Sequence, residues 1–278
     1  MTDSPDSPDS PNSPALPIIA VTARLPTVAS MAAQLAAELR LPLLIDPVDP
    51  DSPVAGSTHL LTLTGDRLEL VERGPDAPGP VYVDFVAGPA AHRRRFGGGR
   101  RQPLARAVGL KGHAAPTVID ATAGLGGDAF VLAGLGCTVL LLERSPIIAA
   151  LLRDGLHRAR QDPDIGPLVT ERLALELADG RDFLPQLAPE QQPEVIYLDP
   201  MYPHRRKTAL AGKEMRLLRQ IAGADLDAPA LLAAALGCAR RRVVVKRPRL
   251  APPLSGPPPT LHITAPNTRF DVYLIPRR

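Results

Sequence analysis

The sequence predicts an α/β protein built on a mostly parallel sheet with an antiparallel C-terminal edge, preceded by a small α/β unit. Three observations lead there. From Thr117 onward, short apolar runs alternate with segments of helical composition, the pattern of a parallel sheet covered by helices. The run Val118-Ile119-Asp120 leads into a glycine-rich turn, Ala121-Thr122-Ala123-Gly124-Leu125-Gly126-Gly127, with a helix of small and apolar residues after it. The last apolar runs, Leu261-His262-Ile263 and Phe270-Asp271-Val272-Tyr273-Leu274, are spaced to pair as an antiparallel edge.

Composition sets the bounds. A chain of 278 residues, 45% hydrophobic and 22% charged, is that of a soluble globular protein with one large domain or two modest ones. It has no apolar run of about 18 residues, so no membrane span is expected. The acidic, Pro/Ser-rich start lacks the apolar core of a secretory signal, which points to the cytoplasm. Cys137 and Cys238 lie in apolar or helical settings and read as buried thiols in a reducing compartment. The six histidines show no ligand spacing, so no metal site is expected.

The net charge of +3 understates the basic character of the folded part, because Asp3, Asp6 and Asp9 sit in the tail. Arginines cluster at Arg93-Arg94-Arg95, Arg100-Arg101, Arg205-Arg206-Lys207 and Arg240-Arg241-Arg242, with Lys246, Arg247 and Arg249 close behind. Such clusters favour a polyanionic partner, against the plain alternative of solvated faces.

Taken in order, residues 1–15 repeat Asp-Ser-Pro and are expected to be disordered. Residues 16–91 read as a small α/β domain. It has a strand at 18–21, a helix at 27–39 capped by Thr27, and the apolar run Leu43-Leu44-Ile45. A hairpin turns at Gly65-Asp66, and another strand covers 81–85. Residues 92–116 form a basic, glycine-rich connector, either a solvated loop or one that orders on a phosphate backbone. Residues 117–278 carry the main domain. Its strands are expected near 118–119, 138–143, 173–177, 194–198 and 242–246, and its helices at 128–135, 146–160, 213–221 and 228–239. Ser145 and Pro146 start the second of these helices. The proline-rich stretch 252–259 is an insertion, and no internal repeat emerges.

In such a sheet, ligands bind beyond the carboxyl ends of the strands. Four strands here end in acids: Asp120, Glu143, Asp179 and Asp199. One such acid reads as a helix cap, but four along one sheet edge read as a ligand site. Glu143, about 20 residues past the glycine turn, is placed to accept both hydroxyls of a ribose. Asp179 is placed to meet an adenine amine, with the adjacent Gly180 backbone meeting a ring nitrogen. Asp120 and Asp128 flank the Gly124/Gly126 turn. Like-charge repulsion there disfavours a pyrophosphate, whereas an amino group with a sulfonium centre suits the site. Gly124-x-Gly126-x-x-Ala129 with Glu143 also fits a dinucleotide fingerprint. Asp120 before the turn, and the lack of a hydride-transfer site downstream, favour S-adenosylmethionine as the cofactor. The fold expected is therefore a Rossmann-like class I S-adenosylmethionine-dependent methyltransferase.

Asp199-Pro200-Met201-Tyr202 resembles the Asp/Asn-Pro-Pro-aromatic motif of amino-group methyltransferases, with Met201 in place of the second proline. In that motif the acid or amide accepts hydrogen bonds from an exocyclic amine and the aromatic ring stacks on the base. Asp199, Pro200 and Tyr202 are thus the candidate catalytic residues, with orientation of the amine as their effect. Arg205, Arg206 and Lys207 follow at once, where phosphates of a nucleic acid need neutralising.

The chain as a whole, from about residue 81 onward, resembles the bacterial RsmJ family of small-subunit ribosomal RNA guanine-N2 methyltransferases. The likeness rests on Asp84-Phe85-Val86, His92-Arg93-Arg94 with Phe96-Gly97-Gly98-Gly99, and Asp120-Ala121-Thr122-Ala123-Gly124-Leu125-Gly126. It continues through Leu142-Glu143-Arg144, Tyr197-Leu198-Asp199-Pro200-Met201, Lys213-Glu214-Met215-Arg216, Val243-Val244-Val245-Lys246-Arg247-Pro248 and Arg269-Phe270-Asp271. It implies a cytoplasmic enzyme that methylates the exocyclic amine of one guanine in 16S ribosomal RNA, free or in the small ribosomal subunit. It also implies donor contacts at Gly127, Asp128, Glu143, Arg144, Asp179, Gly180 and Asp199. Gly127 stands where arginine is common in that family, and Asp179-Gly180 where a serine pair is common. The RNA would lie on Arg93, Arg94, Arg95, Arg205, Arg206, Lys207, Lys246 and Arg247. Two alternatives stay open: an amino-group methyltransferase acting on DNA or protein, and an RNA-binding assembly factor with a vestigial donor pocket.

Overall fold

The computed structural model describes residues 18–44, 56–75, 77–110, 115–201, 213–222 and 226–276, with the side chains of 95–96 and 213–215 excepted. The N-terminal part contains β1 (Ile19–Ala23), α1 (Ala29–Leu39), β2 (Leu43–Leu44), β3 (His59–Leu63) and β4 (Leu68–Glu72). Two helices follow, α2 (Pro89–Phe96) and α3 (Pro103–Ala107). The larger part begins with β5 (Thr117–Asp120), α4 (Gly127–Gly134), β6 (Thr138–Glu143), α5 (Pro146–Gln161), α6 (Gly166–Arg172) and β7 (Leu173–Leu177). It continues with α7 (Gly180–Phe183), β8 (Val195–Leu198), α8 (Lys213–Ala222), α9 (Ala228–Cys238), β9 (Arg242–Pro248), β10 (Leu261–Thr264) and β11 (Thr268–Leu274).

The seven-stranded sheet has the order β10-β11-β9-β8-β5-β6-β7. Strands β5 to β9 run parallel, and β11 and β10 add the expected antiparallel edge. The chain moves outward from β5 through β6 to β7, then returns to the other side of β5 for β8. The β5/β8 boundary is therefore the topological switch point, where crossovers diverge and open a crevice. Asp120 ends β5 and Asp199 follows β8, so both acids lie at that boundary. The second sheet is β2-β1-β3-β4, parallel except for the β3/β4 hairpin.

The two sheets share one buried apolar cluster, which runs from Val21, Leu61 and Leu70 through Val83 and Phe85 to Phe130, Leu141 and Leu152. Phe85 stacks on Phe130 with ring centres 4.8 Å apart. Gly155 of α5 has no side chain, and Val83 presses against the helix there.

Several local expectations are corrected. Residues 81–85 do not form a strand: only Val81 pairs, with Leu70, and the chain then turns inward to bury Val83 and Phe85. Thr27 does not cap α1, because a single 3₁₀ turn (Pro26–Val28) precedes it and leaves Val28 at the cap position. The basic connector holds helices. Pro89 opens α2, Ala91 is buried, and α2 packs on α4. The Ser145 cap and Pro146 start of α5 are as expected.

Candidate active site

The glycine turn divides its labour between two faces. Gly124 (φ 54°) has nothing within 4 Å of the position a Cβ would take, so its backbone is open to a ligand. Gly126 (φ 75°) does the opposite: a Cβ there would lie 2.8 Å from Leu152 Cδ1 and 3.1 Å from Phe85 Cζ. Both need the left-handed region, but one faces the crevice and the other the core. Gly127 opens α4, also with nothing within 4 Å.

At the end of β6, Glu143 is 6% exposed and held by backbone donors. Gly124 N–H donates to Oε2 at 2.9 Å and Ser145 N–H to Oε1 at 2.8 Å. These two backbone donors, one on each oxygen, fix the carboxylate in place at the edge of an open cleft. The cleft has a volume of about 550 Å³ and is lined by Thr122, Gly124, Glu143, Asp179, Gly180 and Asp199, with Met201 and Leu231 on its apolar side. The clamped acid, the bare Gly124 backbone and the apolar wall together fit the expected adenosyl donor.

The far wall is ionic. Asp179 caps α7, accepting from Arg181 N–H at 2.9 Å, while the Arg181 guanidinium forks onto both its oxygens at 3.0 and 2.7 Å. This hydrogen bonding outweighs burial and holds the Asp179 carboxyl below its usual value. Arg144 and Arg181 both pair with Asp227, at 2.7 and 3.1 Å, and Arg144 stands 4.0 Å from Asp179. Arg144 and Asp179 thus line the cleft within a ring of alternating charges. The sequence offered no signal for Arg181 or Asp227, since Asp227 reaches the ring only through the packing of α9.

Asp120 and Asp128, both expected to flank the donor, are not among the residues lining this cleft. Asp120 is 2% exposed and accepts from Thr122 N–H at 3.2 Å. Burial, then the nearby Asp128 and Asp199 carboxylates, push its pKa up to about 8. Asp128, in the first turn of α4, has a side chain only 10% exposed. It accepts from Tyr197 Oη at 2.5 Å, from Lys246 Nζ at 3.0 Å and from the Arg93 guanidinium. Burial opposes its charge, but the Lys246 and Arg93 cations and the Tyr197 hydroxyl hold its pKa well below the usual carboxylate range. Tyr197 was missed, although a tyrosine in an otherwise aliphatic buried strand needs a partner for its hydroxyl.

Asp199 is brought to the cleft as expected, with its side chain 35% exposed. Its N–H donates to Thr122 Oγ1 at 2.6 Å, and its Oδ2 accepts from Lys246 Nζ at 2.7 Å. Pro200 follows it, and Tyr202 lies outside the described residues.

The expected nucleic-acid contacts fare less well. Arg247 is 3% exposed and donates through Nε and a terminal nitrogen to the Pro252 carbonyl, so it braces the chain after β9 and does not face a phosphate. Lys246 lies in the carboxylate cluster. Arg93 is bound to Asp128, and the Arg94 guanidinium stands over the Phe130 ring at 5.8 Å. Arg205, Arg206, Lys207 and the side chain of Arg95 lie outside the described residues. Among the described residues no cluster of His, Cys, Asp or Glu could hold a metal ion.

Comparison with known proteins agrees with this geometry. A family model described as "Putative SAM-dependent methyltransferase" matches residues 52–275. The chain is 54% identical over 243 residues to the ribosomal RNA small subunit methyltransferase J of Nitrosococcus oceani, covering 87% of this chain and 93% of that one. It is 53% identical over 250 residues to the Aeromonas salmonicida protein of the same name, covering 90% and 95%. A solved SAM-dependent methyltransferase from Neisseria gonorrhoeae is 36% identical, with a TM-score of 0.67 over 91% of this chain and 95% of that one.

Proposed function

We propose that this chain, which belongs to the ribosomal RNA small subunit methyltransferase J family of S-adenosylmethionine-dependent methyltransferases, methylates the exocyclic N2 amine of one guanine in 16S ribosomal RNA. The observation that carries the amine assignment is Asp199, a partly exposed carboxylate at the switch point beside the donor cleft. A carboxylate there is acceptor-only, which suits an NH₂ donor and not a ring nitrogen that must itself accept.

When bound, the donor supplies an electrophilic methyl carbon on a sulfonium. The residues of this chain do the rest. Glu143 is placed to accept the ribose hydroxyls, and the open Gly124 backbone admits close approach. Asp179 offers what acceptor capacity its Arg181 fork leaves, with the Gly180 backbone beside it. Asp199 accepts from the guanine amine and so aims the nitrogen lone pair at the methyl carbon, an orientation effect. The amine gains a methyl group and loses one proton, which passes to water, so no strong base is required. Tyr202 is placed by sequence to stack on the base, and Arg205, Arg206 and Lys207 to meet phosphates. The substrate of this reading places the enzyme in the cytoplasm, and no helix among the described residues is long and apolar enough to cross a membrane.

The decisive experiment supplies purified protein and a tritiated methyl donor to ribosomal RNA and 30S subunits from a strain lacking the gene, and then maps the modified base. Label on one guanine N2 of 16S RNA is expected. Label on DNA or protein, or donor binding with no transfer, would replace this reading with one of its alternatives. Asp199→Ala should lose about 100-fold or more in transfer, as for a misplaced reactant. Glu143→Ala should weaken donor binding in calorimetry, and unchanged affinity would remove it from the ribose site.

A further inference from the structure

A lysine that ends a Val-Val-Val run gives up solvation on folding and requires charged partners. Lys246 has two. Its Nζ lies 2.7 Å from Asp199 Oδ2 and 3.0 Å from Asp128 Oδ2, bridging the acid in the cleft to the acid on α4. Register sets up this meeting: Leu198 of β8 lies opposite Val245 of β9, so the residues that follow each, Asp199 and Lys246, emerge side by side.

The two carboxylates differ in kind. Asp128 is 10% exposed and fixed from several sides, by Tyr197 of β8, Arg93 of α2 and its own place in the first turn of α4. Asp199 is 35% exposed and faces the cleft. Lys246 therefore ties a working carboxylate to an immobile one. We propose that Lys246 is a positioning residue for methyl transfer: anchored on Asp128, its ammonium holds the Asp199 carboxylate in the aim that receives the substrate amine. The proposal rests on the reading of Asp199 given above.

The surrounding charges show why a cation is needed. Asp120 from β5, Asp128 from α4 and Asp199 after β8 converge on this point, with Tyr197, Lys246 and Arg93 as the facing groups. Without Lys246, mutual repulsion would turn Asp199 away or draw a proton onto it. A protonated Asp199 would present a donor to an amine that also donates. Lys246 itself stays charged, since the two carboxylates outweigh the effect of burial and raise its pKa. That rules it out as a proton acceptor. Its compact ammonium, with three donors, reaches carboxylates on two different elements, where a planar guanidinium fork favours a single one.

The test is a double-mutant cycle on the full chain, with wild type, Lys246→Gln, Asp199→Asn and the pair. Binding of S-adenosylhomocysteine by calorimetry shows that each variant keeps its donor site, and steady-state transfer is followed across pH. Lys246→Gln is expected to lower kcat about 100-fold, with S-adenosylhomocysteine affinity within about twofold and little change in RNA KM or its salt dependence. It should also bring an acidic limb into the pH–rate profile. That limb should vanish in the Asp199→Asn background, where an amide cannot be protonated and the Lys246→Gln change should cost only about threefold or less. Additive losses, or a profile with no new limb, would overturn the proposal. So would a rise in RNA KM with a reduced salt slope, the signature of a phosphate contact. Should Lys246→Gln fail to fold, Lys246→Arg keeps the cation, and wild-type kcat in that variant would equally overturn a role for ammonium geometry. Failure of the underlying reading is seen separately, as wild-type enzyme that leaves the guanine amine unmethylated.

Discussion

Asp120 illustrates how far a residue's role can move once its surroundings are known. It is 2% exposed, beside Asp128 and Asp199, with a pKa pushed up to about 8 from 3.8. An acid with a raised folded pKa keeps a proton that the unfolded chain has already released. Stability therefore falls as pH rises from about 3.8 toward 8 and levels off above it. His59, whose pKa is lowered from 6.5 by burial, adds little between about pH 7 and 8.5. Urea unfolding of the donor-free protein across that window should show a falling stability, with a slope of at most about 1.4 kcal/mol per pH unit from this group. Asp120→Asn should flatten it. A slope that survives the substitution would place the proton elsewhere.

At the scale of elements, the turn between β5 and α4 separates binding from folding within three residues. Gly126→Ala would combine a positive φ with overpacking against Leu152 and Phe85, and should destabilise by about 2–5 kcal/mol. Gly124→Ala also has a positive φ but meets open space, so it should cost only about 1–2 kcal/mol of stability. Its methyl group would project into the open cleft proposed for the donor, and donor affinity should fall more steeply than in Gly126→Ala. Calorimetry beside urea melts separates the two, and a reversed order would contradict the assignment of faces. The β–α alternation, the hairpin and the four acidic strand ends were all legible, because apolar periodicity and glycine turns are local signals. Helix α2 was not. The Arg93-Arg94-Arg95 run and the Gly97-Gly98-Gly99 stretch after it read as a loop, solvated or ordered on phosphate, whereas the segment docks on α4 as a helix, with Ala91 buried and Arg93 paired to Asp128.

For the whole molecule, the two sheets share one core in which Val83 and Phe85 join the N-terminal strands to α4 and α5. Phe85→Ala should lower stability by about 3–5 kcal/mol. The protein should also unfold in a single transition by circular dichroism and fluorescence probes alike. Two separated transitions would indicate an N-terminal domain independent of the main one. The basic surface follows the same logic of place. Arg247→Ala should destabilise the chain after β9 and leave the salt dependence of RNA binding intact. Replacing Arg205, Arg206 and Lys207 by alanine should reduce the slope of log affinity against log salt by about 2, for three phosphate contacts on single-stranded RNA.

By itself the sequence determined the mostly parallel sheet with its antiparallel edge, the glycine turn, and the acids Glu143 and Asp199 at strand ends, since each is set by runs of a few neighbouring residues. Only the tertiary structure decided which charges face the ligand and which face one another. Asp128, Lys246, Arg93 and Tyr197 come from α4, β9, α2 and β8, and their meeting depends on strand register and helix docking. A charged residue's task is set by its nearest partners and by the water it has lost, and neither is a property of neighbours along the chain.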